Sequence, residues 1–159
     1  MIIEVDGDIT EFPEAEYICH QCNCVSDGQA GGLARTIFDK FPIADSYLGR
    51  KEFSDPGTIG VFSCGGIKII NMYGQYYPGL PLSEDNPKDG TKAREGYFKR
   101  CIGAIALLDD VKSIAFPRLI GCDLAGGDWE NYRLFIKGLD EYWIKNGFQV
   151  KIYIVNFNK

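Results

Sequence analysis

The sequence predicts an α/β protein: a three-layer α-β-α sandwich around a mixed, mostly parallel central sheet. Three observations carry this. Strand-like and helix-like apolar segments alternate along the 159 residues in the order β-β-α-β-β-α-β-α-β. Repeated strand–helix–strand crossovers imply parallel pairing, with helices on both faces of the sheet. Gly65-Gly66, between two short apolar runs, reads as a two-residue hairpin turn and adds an antiparallel pair. Two further strands run into Gly-bearing turns, at 26–32 and 119–128, each leading to a helix or a short polar turn before one. No linker, repeat or low-complexity segment divides the chain, so residues 1–159 are expected to form a single domain.

The elements follow in order. Met1 to Val5 is a short apolar strand, Asp6-Gly7-Asp8 a turn, and Ile9-Thr10 a resumption of extended chain. A strand covers 17–25 (YICHQCNCV) and breaks at Ser26-Asp27-Gly28. Leu33, Ile37 and Phe41, with Ala34 and Phe38 beside them, give a helical stripe from about Gly32 to Lys40, stopped by Pro42. A short helix is expected around Ala44 to Leu48. Thr58 to Cys64 and Ile67 to Met72 are the hairpin strands. The segment Asn71 to Tyr77 reads as an unusual strand end, opening a long polar loop over 78–90. Thr91, read as an N-cap, begins the longest helical pattern, to Leu108. Ser113 to Phe116 is a short buried strand. Asp128 is placed to cap a helix from Trp129 to about Asn146, which Gly147 ends. Val150 to Phe157 closes the chain as a strand.

Composition removes several classes of function. The chain is 45% hydrophobic, enough for a core without a metal or disulfide staple. Its formal net charge is -5 and it has no Lys/Arg run, which argues against wrapping a nucleic-acid backbone. A phosphorylated ligand would have to be held by backbone amides more than by cationic side chains. No signal peptide, long apolar span or lipidation motif is evident, so no membrane partner is expected and a cytoplasmic location is the default. The cysteines fall at 19, 22, 24, 64, 101 and 122. One cluster inside a strand, with one histidine, does not supply four convergent ligands, so buried reduced thiols are expected and no metal or cofactor is implied.

Function is expected beyond the carboxyl ends of the strands, where ligands bind in open parallel sheets. The turn at 26–32 presents free N–H groups of a helix N-terminus, which favours phosphate. The turn at 119–128 would face the same cleft, so the two could grip a diphosphate from both sides. His20, the only histidine, and Asn23 lie in the strand that feeds the first turn. Each has a bland reading as well. His20 could be a strand histidine satisfied by a backbone carbonyl, Asn23 a turn former, Asp8 a turn cap, Asp128 a helix cap and Trp129 a core residue.

Taken together, Gly7-Asp8-Ile9-Thr10 after a first strand, a strand ending in Asn before Gly31-Gly32, and the later PRLIGCDLAGGDW resemble the macro domain over nearly the whole chain. That resemblance implies a macro-domain-like fold and binding of ADP-ribose or a derivative. It assigns Asp8 to the adenine amino group, Ile9 to a backbone contact beside it, and Asn23 to the distal ribose. It assigns Gly31, Gly32 and Leu33 to a first diphosphate loop, and Ile120, Gly121, Cys122, Asp123 and Leu124 to a second. The run His20-Gln21-Cys22-Asn23-Cys24 is most similar to the branch that dephosphorylates ADP-ribose 1″-phosphate. By that likeness His20 is the catalytic residue, as general acid to the leaving oxygen or general base to water, with Asp123, Asp128 or Asp27 to orient it or the water. The segment Asn71 to Gln75 contains no Lys, and Ala125 follows Leu124. Both depart from the pattern of the terminal ADP-ribose hydrolases. Reader and ADP-ribosyl-protein hydrolase remain the alternatives.

Overall fold

The computed structural model describes residues 1–157. Its sheet has six strands: β1 (Ile2–Asp6), β2 (Tyr17–Asn23), β3 (Ile59–Cys64), β4 (Ile67–Gln75), β5 (Ser113–Pro117) and β6 (Lys151–Asn156). The helices are α1 (Gly32–Lys40), α2 (Thr91–Ala106) and α3 (Trp129–Lys145). The strand order is β1-β6-β5-β2-β4-β3. Every pairing is parallel except β3 with β4, the hairpin that Gly65-Gly66 closes. The α/β class and the mixed, mostly parallel sheet follow the order of elements read from the sequence.

Two apolar clusters lie on opposite faces of the sheet, because successive strand residues point to opposite sides. Tyr17 and Cys19 of β2 pack with Phe98 and Cys101 of α2 and Tyr132 and Ile136 of α3. Ile18 and Cys22 pack with Ile37 and Phe38 of α1. Asp128 caps α3, its side chain accepting from Glu130 N. Gly147 follows that helix with φ +80°. All six cysteines are free thiols, four of them buried. Among the described residues, no helix is long and apolar enough to cross a membrane.

Four local expectations are corrected. Ile9–Glu11 is a turn of 3₁₀ helix capped by Asp8, not resumed strand. The helix expected around Ala44 to Leu48 is replaced by a 3₁₀ turn at Pro42–Ala44, which starts on the proline's preset φ. β4 runs three residues beyond Met72, so Asn71 to Gln75 is buried strand paired with β2, and with β3 as far as Met72. The polar Asn71 and Gln75 suggested a strand end, yet here their side chains have tertiary partners. Gly90 rather than Thr91 precedes α2. A Cβ on Gly90 would lie 2.4 Å from the carbonyl oxygen of Ser83, so no other residue fits there.

Candidate functional site

The expected site residues converge at the carboxyl ends of the parallel strands. His20, Asn23, Gly31, Gly32, Leu33, Ile120, Gly121, Cys122, Asp123 and Leu124 all line one cavity of about 420 Å³. Asp8 and Ile9 line a second depression of about 370 Å³, with Phe157. Leu33, Pro117 and Arg118 border both, so the two depressions meet along that wall.

On one side of the larger cavity α1 begins. Gly31 precedes it with no side-chain cap, so the first-turn N–H groups of the helix keep their donors for something else. Gly32 has φ +57°, a backbone that L side chains rarely adopt. Nothing lies within 4 Å of a Cβ built on Gly31 or Gly32, so the space before the helix terminus is open. On the other side runs the loop after β5. Leu119 (φ +69°) and Gly121 (φ +73°) are both left-handed, which curls the chain back on itself. A Cβ on Gly121 would lie 2.4 Å from the Tyr132 ring of α3, and one on Gly127 2.5 Å from the Gly121 carbonyl oxygen. The glycines of the two loops thus serve differently. In the first they leave room, and in the second they allow close packing.

Among the described residues Arg118 is the only cation lining this cavity and Asp123 the only carboxylate. The other two candidate carboxylates are occupied elsewhere. Asp27 accepts from Gly49 N at 3.1 Å, and Asp128 caps α3. An anion held here meets backbone N–H groups first and a single guanidinium second.

Asn23 is buried at the floor. Its Oδ1 accepts from Val25 N (3.1 Å) and Ser26 N (2.7 Å), forming the turn that starts the first loop. Its side-chain NH₂ therefore remains as a donor toward the cavity. The turn-forming reading of this residue is what these bonds show. Asp8 is similar: its Oδ1 accepts from Thr10 N (2.9 Å) and Thr10 Oγ1 (2.7 Å), while Oδ2 has no partner among the described residues.

His20 lines the cavity and is 1% exposed. Its Nε2 lies 2.6 Å from Asn71 Oδ1, and the Phe38 ring meets it edge-on at 5.2 Å. Its partner is thus a side chain of β4, not the backbone carbonyl that the bland reading expected. Burial lowers its pKa from the usual 6.5 to about 4, and the Asn71 bond opposes that shift without cancelling it. The imidazole is neutral near neutral pH. A general-acid role rested on the ordinary pKa, and burial removes that basis; a hydrogen-bond acceptor remains.

Sequence reasoning missed Gln21, Tyr47, Gln75, Arg118 and Phe157. Tyr47 is buried, and its hydroxyl accepts from Asn23 N at 2.7 Å. Gln21 Nε2 donates to Gln75 Oε1 (2.8 Å), and Gln75 Nε2 to the Tyr77 carbonyl (2.9 Å). Gln21 Oε1 is buried without a partner. Gln21 stands beside His20 in the sequence, and an amide amid an apolar strand was the signal that could have found it.

No family profile matches this sequence, and no curated protein matches it. Solved structures do. The macrodomain of Thermus aquaticus DarG superposes with a TM-score of 0.71 at 20% identity, covering 100% of this chain and 99% of that one. The macrodomain of Mycobacterium tuberculosis DarG gives 0.71 at 17% identity, with 100% and 99% covered. The chain has the macrodomain fold. A Trypanosoma brucei macrodomain, solved in complex with ADP-ribose, gives 0.63 at 13% identity, covering 99% of this chain and 64% of that one. Within the macrodomain fold, the cavity described here lies where an open parallel sheet offers its ligand site.

Proposed function

We propose that the joined depressions bind ADP-ribose, and that the protein hydrolyses ADP-ribose 1″-phosphate to ADP-ribose and phosphate. The observation that carries the binding reading is the pairing of two loops over one cavity, an uncapped helix start on one side and a left-handed loop on the other. Such a pair suits a diphosphate. The adenine then falls in the depression with Asp8, Ile9 and the Phe157 ring, where the free Asp8 oxygen can accept its amino group. The distal ribose falls at the Asn23 and His20 end. The likeness to a macrodomain solved with ADP-ribose supports the same ligand.

For turnover, water attacks phosphorus, the bond from phosphorus to the sugar oxygen breaks, and the proton lost by water ends on that oxygen. Loop N–H groups hold the charge on the transferring group. Asp123 is the carboxylate available to orient the water, and His20 offers an acceptor. A binding module without turnover is the second reading, favoured by the commitment of His20 to Asn71.

Calorimetry with ADP-ribose and phosphate release from its 1″-phosphate separate the two. Turnover is expected from the wild type, reduced by about tenfold or more in Asp123→Asn with ADP-ribose binding kept. Binding with no release makes the protein a reader. The absence of any ADP-ribose binding overturns both readings.

A further inference from the structure

Asn71 sits opposite His20 in the β2–β4 register and is wholly buried. Its Nδ2 donates to the Ala44 carbonyl at 2.8 Å, with Ser46 Oγ at 3.4 Å. A carbonyl oxygen only accepts, so the amide has one orientation, and Asn71 Oδ1 must face His20 as an acceptor. The group 2.6 Å away, His20 Nε2, must then carry a hydrogen. A neutral imidazole has only one N–H, so Nδ1 keeps its lone pair. Among the described residues the one polar group near Nδ1 is the Cys22 thiol at 3.8 Å, which lies slightly closer to Nε2 (3.6 Å) and is a weak hydrogen-bonding partner, so this acceptor is left largely unclaimed.

We propose that Asn71 is a positioning residue, which fixes His20 as the Nε2–H tautomer and reserves Nδ1 to accept a hydrogen bond from a ligand hydroxyl or bound water in the cavity. His20 then works by accepting and orienting rather than by releasing a proton. The groups packed about the ring agree with a fixed neutral state. β2 contributes Cys22 and β4 Asn71. α1 contributes the Phe38 ring, with Tyr47 packed edge-on behind it and Arg50 stacked on Tyr47. None of these groups is a carboxylate that would draw a proton onto the imidazole. The kinetic consequence rests on the phosphatase reading; the tautomer does not.

The chain's single histidine makes the test direct, because every imidazole signal belongs to His20. A long-range ¹⁵N–¹H spectrum of the wild type at neutral pH is expected to show Nε2 protonated and Nδ1 bare, and the Nδ1 resonance to move when ADP-ribose is added. Nδ1–H, a doubly protonated ring, or an Nδ1 signal unmoved by saturating ADP-ribose overturns the proposal. In Asn71→Asp the titration midpoint of His20 is expected to rise by about one unit or more. A folded Asn71→Asp with an unchanged midpoint also overturns it. If the variant fails to fold, the wild-type spectrum decides alone. In Asn71→Leu, phosphate release at saturating substrate is expected to fall about tenfold or more. The expected spectrum without phosphate release by the wild type upholds the role of Asn71 and removes the phosphatase reading. Phosphate release with the opposite tautomer does the reverse.

Discussion

Arg94 and Asp89 form an ion pair sealed from solvent, and it ties three segments of the chain together. Arg94 Nε and Nη2 meet the two Asp89 oxygens at 3.0 and 2.6 Å. Arg94 Nη1 also donates to the carbonyls of Gly79 (2.7 Å) and Ala125 (3.0 Å), and Asp89 accepts from Tyr76 N and Tyr77 N. The loop after β4, the start of α2 and the second glycine loop therefore share one guanidinium. Removing one partner leaves the other charge buried and alone. Arg94→Met is expected to cost about 3–5 kcal/mol. Denaturant unfolding checks this. A loss below about 1 kcal/mol, the range of an exposed pair, would remove the Arg94 clamp from the account.

The depressed pKa of His20 gives stability a definite dependence on pH. The unfolded imidazole takes a proton near 6.5, the folded one only near 4. Between those values the unfolded state binds more protons, so stability is full above about 6.5 and declines as pH falls toward 4. The loss over that window is of order 3 kcal/mol. Unfolding curves at a series of pH values are expected to show this slope for the wild type, and a shallower one for His20→Gln.

Two glycines that both border the cavity are expected to respond oppositely. Gly121→Ala forces a side chain onto a left-handed backbone and into the Tyr132 ring. It is expected to destabilise by about 2 kcal/mol or more and to abolish ligand binding. Gly31→Ala meets nothing and keeps an ordinary φ of −113°. Its melting temperature is expected to hold or rise slightly, with any loss appearing in ADP-ribose affinity alone. Thermal melts beside calorimetry distinguish the two.

Arg118 borders both depressions, and among the described residues no other cation lines the larger one. Arg118→Ala is expected to weaken ADP-ribose by about tenfold or more, the worth of a charge-assisted hydrogen bond, while adenosine, which lacks the diphosphate, is affected less. Equal losses for both ligands would place Arg118 on the base and not on the phosphates.

The sequence made the architecture legible because periodicity and glycine punctuation agreed at nearly every element. α1 spans Gly32–Lys40 as read, and Asp128 caps α3. Two of the failures were local, the Asp8-capped turn at Ile9–Glu11 and the proline-started turn at Pro42–Ala44; in the rest tertiary partners overruled local preference. Asn71 and Gln75 look like the end of a strand until His20 and Gln21 are seen across from them. Arg94 falls among the apolar residues of α2 and was passed over, since a buried arginine makes sense only once Asp89 and the Ala125 carbonyl are in place. At the site, the glycine loops announced themselves. The state of His20 could not be read, because its pKa depends on burial and on a neighbour 51 residues away.

His20 and Gln21 are consecutive on β2 and point to opposite faces of the sheet, yet both line the same cavity. The cavity therefore straddles the rim of the sheet, with α1 behind one wall and α3 behind the other. An occupant spanning it would bolt together two helical layers that lie on opposite faces of the sheet. Amide exchange is then expected to slow in α1 and in α3 alike when the cavity is filled, although the two helices lie in different layers.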